Sequence, residues 1–219
     1  MKILITRSLE DNSLIRAVAQ GHELVAQSLI DITPIPFDAP AADWIFFYSR
    51  NGVQHFFEQG NYELIPYKWA CMSSGTAERL SEYVLDEPFV GDGDPMSVAK
   101  SFTEVRSFEE QVCFVRAQQS MDSVRKLIDH PSDFSLAVYD NKPIDPVQQI
   151  DADIILATSP LNFKTWARAN TYRNQPIIAI GHTTATAIRE ILPEGEIVIA
   201  KQASIASMAD ELKAMLQRT

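Results

Sequence analysis

Positive charge is in short supply in this chain: 19 Lys and Arg residues stand against 29 Asp and Glu, a formal net charge of −10. A non-specific nucleic-acid binder needs a basic footprint, so that class is excluded. An anionic small ligand is not excluded, because a local cluster of amides and arginines offsets the global field. Cysteine is scarce as well. Cys71 and Cys113 both lie in apolar, strand-like runs and read as buried free thiols rather than a disulfide or a metal pair. No apolar run approaches the roughly 18 residues that cross a bilayer. The chain enters a strand at once, at Lys2–Thr6, with no apolar region followed by a small-residue cleavage site. Both absences lead us to expect a cytoplasmic protein without a membrane partner. HExxH, CxxC, GxSxG, P-loop and GxGxxG patterns are all missing, and His22, His55, His130 and His182 are scattered without metal-like clustering. No metal, no cofactor and no ready-made nucleophile are therefore expected.

What is present is a repeated alternation of short apolar runs and helical patterns. The 219 residues suffice for one large domain or two of about 100 residues each. Apolar runs at 1–6, 24–29, 44–48, 69–72, 112–115, 136–139, 154–157, 177–180 and 197–200 read as strands, with Phe89-Val90 as a further short one. Between them lie helical patterns. One over 9–19 places Leu14, Ile15, Val18 and Ala19 on one face, one after strand 112–115 uses Met121, Val124, Leu127 and Ile128, and one after Gly181 uses Thr184, Ile188, Ile191 and Leu192. Strand–helix alternation with short loops predicts parallel sheets flanked by helices, an α/β fold, and purely apolar strands suit that class.

The pattern is also doubled. Arg7 and Arg116, and Pro34 and Pro143, are each 109 apart; Ser49 and Ser159 are 110 apart, and Thr76 and Thr184 are 108 apart. Four echoes in one order imply a duplicated half-chain. The proline-punctuated segments Ile32–Asp38 and Asp140–Pro146 have no apolar periodicity and read as edge strands or linkers. Taking them as crossovers predicts two similar domains. Domain A is discontinuous, 1–31 with 147–219; domain B is 37–138; residues 32–36 and 139–146 form a two-stranded linker. A ligand is then expected between the domains, above the carboxyl ends of the strands.

The candidate site residues sit in the strand-end turns. Ser49-Arg50-Asn51-Gly52 offers a hydroxyl, amides at a helix start and a guanidinium. Its counterpart begins at Ser159. His182-Thr183-Thr184, with Ser74 and Thr76 as its echo, exceeds what a helix cap needs. Arg7 and Arg116 follow apolar strands, where each meets either a carboxylate ligand or a structural ion pair. Tyr139 enters the second linker, where it is either a cleft hydroxyl or an ordinary sheet aromatic.

Taken together, Ile3-Leu4-Ile5-Thr6-Arg7, Ser49-Arg50-Asn51-Gly52-Val53, Val138-Tyr139 and Gly181-His182-Thr183-Thr184-Ala185 resemble the uroporphyrinogen-III synthase family over nearly the whole chain. The resemblance implies a cofactor-free lyase. It closes hydroxymethylbilane, a linear tetrapyrrole with eight carboxylates, through loss of the terminal hydroxyl as water and inversion of ring D by a spiro-type intermediate. It places the family's tyrosine on Tyr139, as a candidate catalytic residue, its threonine pair on Thr183 and Thr184, and its serine turn on Ser49. Substrate contacts then fall on Arg7, Ser49, Arg50, Asn51, Gly52, Ser74, Thr76, Ser159, His182, Thr183 and Thr184. A monomer is expected, with transient contact to the enzyme supplying the substrate. Tyr48 departs from the family's small hydroxyl residue at that position, and Leu161-Asn162 departs from its Ser-Gly-like turn. The competing reading is a non-catalytic module of the same shape that binds an anionic tetrapyrrole-like metabolite.

Overall fold

A computed structural model describes residues 1–60, 62, 65–147 and 149–218. Its contacts divide the chain into two units, 1–31 with 142–219 and 32–141. Both are α/β.

The first unit is a five-stranded sheet of β1 (Lys2–Ile5), β2 (Glu23–Ala26), β9 (Ile154–Ala157), β10 (Ile177–Ala179) and β11 (Ile197–Ile199), in the order β11-β10-β9-β1-β2. All of these pairs are parallel; Ile3 lies opposite Leu24 on one side and Ile154 on the other. Alternate side chains of β1 feed two different cores. Ile3 and Ile5 pack with Ile15 of α1 (Leu14–Val18) and Met208 and Leu212 of α8 (Ile205–Leu216). Leu4 packs with Phe163 and Trp166 of α6 (Pro160–Ala169) and Ile188 of α7 (His182–Arg189). A strand covered on both faces has no position for a polar residue, which is why these segments read as unbroken apolar runs.

The second unit repeats the scheme. Its six-stranded sheet has the order β3-β8-β7-β4-β5-β6. The members are β3 (Ile30–Pro34), β4 (Trp44–Phe47), β5 (Lys68–Cys71), β6 (Phe89–Val90), β7 (Val112–Ala117) and β8 (Phe134–Pro143), and β4 through β8 pair in parallel. Ile45 and Phe47 face α2 (Arg50–Phe57) and α3 (Ser74–Leu80); Trp44 and Phe46 face α4 (Pro95–Val105) and α5 (Ser123–Ile128). Phe46, Phe47 and Phe56 are fully buried, each worth about 2–3 kcal/mol of transfer free energy. β3 is an edge strand containing Pro34, as a residue without a backbone donor requires.

Several boundaries differ from those read off the sequence. The first helix spans only Leu14–Val18, and Leu14 is exposed, because the preceding segment folds back so that the Arg16 guanidinium bonds the carbonyls of Leu9 and Glu10. Met121 lies outside α5 and is exposed: Asp122 takes a left-handed φ of 55°, so the helix starts only after it, and Leu127 is exposed as well. α7 ends at Arg189, leaving Ile191 in solvent. β8 extends well past the short run 136–139, through ten residues. Cys71 and Cys113 are free and buried, and burial pushes the Cys71 thiol up to about 12.

Candidate functional site

In a parallel sheet every strand-to-helix turn opens at the carboxyl edge, so the candidate residues of each unit share one rim. In the second unit, β4 ends at Phe47 and Ser49 caps α2, its extended backbone (φ −156°) turning the hydroxyl back to accept from the Gly52 amide at 3.1 Å. The same Oγ lies 3.0 Å from Tyr139 Oη on β8. Gly52 is buried, and a Cβ there would stand in ordinary van der Waals contact, 3.4 Å from Ser49 Oγ and 3.6 Å from Val115. Arg50, exposed, and Asn51, half-buried, follow in the first turn of α2. Tyr139 itself is buried. Burial pushes its phenol above the ordinary tyrosine value, and the Ser49 bond pulls the other way.

At the next strand end the cap of α3 is Ser73, not Ser74; its hydroxyl pairs with that of Thr76 at 3.3 Å, while Ser74 is exposed and Thr76 buried. Arg116 turns its guanidinium onto its own strand end, donating to the carbonyls of Ala117 and Gln118 at 2.8 Å each.

The first unit builds its rim differently. Thr6 and Thr158 are hydroxyl-paired at 3.2 Å, with Thr158 Oγ1 donating to the Thr6 carbonyl at 2.8 Å, and this clasps the ends of β1 and β9. Arg7 follows, exposed. Ser159 caps α6, but Asn162 stands at the helix position that Gly52 holds in α2. Ser159 Oγ accepts from the Asn162 backbone at 3.2 Å and from its side-chain amide at 3.1 Å, while Asn162 Oδ1 accepts from the Leu29 amide at 2.7 Å. The duplicated serines therefore have unlike surroundings: one meets a phenol, the other is held by an amide side chain. At α7, Gly181 is the cap; His182 and Thr183 are exposed in the first turn, and Thr184 is buried.

The structure thus brings Ser49, Gly52 and Tyr139 into direct contact. Sequence reading missed three supports. Asn162, at the rim of the first unit, is one. Tyr48 is the second: its Oη accepts from the Arg125 amide at 3.0 Å, in the first turn of α5, which accounts for a tyrosine before Ser49. Burial raises that phenol too. The third is His55, whose ring lies 5.4 Å from that of Tyr139 at a tilt of 34°. Spacing alone carried a signal for it, since Gly52 and His55 stand three apart in α2, on one helix face. Among the described residues no group of three His, Cys, Asp or Glu side chains is gathered as a metal site, and no helix is long and apolar enough to cross a membrane.

Two α/β units, each with parallel strands and hydroxyl residues at its strand-end turns, define the class of protein. Within it, the model of the family "Uroporphyrinogen-III synthase HemD" matches residues 13–210, and the chain belongs to that family. The fold is similar to the crystal structure of uroporphyrinogen-III synthetase from Helicobacter pylori, at 17% identity and TM-score 0.73, over 98% of this chain and 99% of that one. It is also similar to a mutant uroporphyrinogen III synthase from the extremely thermophilic bacterium Thermus thermophilus, at 15% identity and TM-score 0.65, over the full length of both chains. No curated protein sequence matches significantly. The family assignment supports an enzymatic, synthase-type role in tetrapyrrole biosynthesis.

Proposed function

We propose that the protein is a uroporphyrinogen-III synthase, converting hydroxymethylbilane to uroporphyrinogen III and water without a cofactor. The observation that carries this reading is the family match across residues 13–210 of the 219. In the first step the Tyr139 phenol donates its proton to the terminal hydroxyl, the C–O bond breaks and water departs, leaving an azafulvene cation. Ring D attacks through its substituted carbon, the spiro-type intermediate opens and closes again with that ring inverted, and loss of a proton from the new junction completes the macrocycle. The phenol is protonated at neutral pH, as an acid must be before it donates; burial weakens it as an acid, and the Ser49 bond works against that. For its own proton to point at the leaving group, Tyr139 has to accept the proton of Ser49 across the 3.0 Å contact, and the same bond steadies the developing phenolate.

Arg7, Arg50, Asn51, Gly52, Ser74, Thr76, Ser159, His182, Thr183 and Thr184 supply charges, hydroxyls and amides to the substrate carboxylates in this reading. Local cations and helix-start dipoles offset a protein charge of −10 against an eight-carboxylate ligand. Incubation with freshly generated hydroxymethylbilane tests it: the type III isomer is expected, faster than spontaneous closure. Type I product alone, at the uncatalysed rate, favours a non-catalytic binding module instead.

A further inference from the structure

We propose that His55 is a positioning residue for Tyr139, acting by its flat ring. This rests on the synthase reading for its kinetic consequence, though not for its structural one. The Ser49 bond fixes the Oη end of Tyr139, and its ring is buried in a core that also holds Phe56, Val115 and Val138. Within that core His55 lies against it ring to ring, at 5.4 Å, from the same helix that Ser49 caps. His55 is itself largely shielded: its side chain is 13% exposed, and its Nδ1 lies 3.2 Å from Glu58 Oε2, close but without hydrogen-bond geometry. Beyond the helix, Gln59 Nε2 donates to the His55 carbonyl at 2.9 Å and to the Val138 carbonyl at 3.4 Å, tying the turn after α2 to the residue before Tyr139. α2 and the residues flanking it therefore meet β8 at three levels: hydroxyl on phenol, ring on ring, amide on backbone. A phenol that has to reach one oxygen of a flexible substrate gains from such restraint, since a displacement of about 1 Å at a reacting group costs up to roughly a hundredfold in rate.

Three variants test the proposal: His55→Leu, which removes the flat ring; His55→Phe, which keeps it; and His55→Leu combined with Tyr139→Phe. His55→Leu is expected to lower kcat by roughly ten- to a hundredfold with KM changed less than about twofold, and His55→Phe to recover most of the loss. In the Tyr139→Phe background, His55→Leu should cost nothing further, because a residue acting only through the phenol has no route left. Independent additive losses, or no rescue by phenylalanine, overturn it. Labelling with 3-fluorotyrosine gives a readout that does not depend on turnover. The Tyr139 fluorine resonance, assigned by its loss in Tyr139→Phe, should be sharp in wild type and His55→Phe and broadened or shifted in His55→Leu. An unchanged resonance sinks the proposal. A wild-type protein without synthase activity sinks the functional reading, while the fluorine spectra still decide the role of His55.

Discussion

Ser49 Oγ has two roles, and they separate by measurement. As a cap it accepts from the Gly52 amide, and as a neighbour it reaches Tyr139 Oη. Ser49→Ala removes both, so stability should fall by about 1 kcal/mol, the usual value of a cap, and kcat should fall with it. Tyr139→Phe leaves the cap intact and removes only the phenol oxygen. It should cost turnover alone, by roughly a hundredfold or more on the scale of general-acid catalysis, at little change in urea midpoint; an unchanged kcat would remove the acid role. A third residue-scale test lies away from the rim. Arg106 and Asp133 form a nearly dry ion pair, and Asp133 Oδ1 also accepts from the Val112 amide at 3.1 Å. Asp133→Ala strands a buried guanidinium and an amide at the start of β7, so chemical denaturation should show a loss of about 3–5 kcal/mol.

At the scale of elements, the turn after β6 depends on a glycine for want of space. Gly91 donates to the Cys71 carbonyl at 2.8 Å, and a Cβ on it would collide with the Val98 side chain of α4 and sit 2.7 Å from the Met72 carbonyl. Gly91→Ala should therefore lower stability by about 1–3 kcal/mol through overpacking, and an unchanged thermal midpoint would refute the close approach. Such a constraint cannot be read from the sequence, where Gly91 is simply one residue of a Gly-Asp-Gly-Asp loop. Other elements were legible for a physical reason. Trp44–Phe47 and Ile154–Ile155 are apolar on both faces, and only a central strand covered twice has that composition. The Ser49 cap was legible too, because a hydroxyl residue, a permissive glycine and an apolar face fall in fixed order. Short helices were not. α1 and α5 have five and six residues, too few for periodicity to mark their ends, and the left-handed Asp122 gives no compositional warning. Contacts between distant segments were also invisible: Tyr48 with α5, Asn162 with Leu29 and His55 with Tyr139 each join residues that the sequence separates by tens of positions.

Across the whole molecule, the ionisable groups bound the pH range of stability from both sides. On the acid side Glu110 contributes: Lys68, then the Trp44 indole, hold its carboxyl down to about 2. A depressed folded-state value contributes stability that is present above the ordinary carboxylate value of 4.5 and lost as pH falls towards 2. On the alkaline side the groups are acids kept neutral by burial. Cys71 is raised to about 12 from 9.0, and burial raises Cys113, Tyr48, Tyr67 and Tyr139 as well. The unfolded chain releases these protons first, so their contribution is complete below about pH 9 and declines as pH rises past it. The growing negative charge of a chain already at −10 acts in the same direction. The urea midpoint should hold a plateau from roughly pH 5 to 9 and fall on both sides. Each alkaline group steepens the decline by at most about 1.4 kcal/mol per pH unit. Cys71→Ala identifies the thiol's share, because it should flatten the limb between about pH 9 and 12 without moving the acid one. A midpoint that stayed flat across pH 9 to 11 in the wild-type protein would mean that these thiols and phenols meet water and titrate alike folded and unfolded, and with it the buried setting of Tyr139 beside Ser49 would be lost.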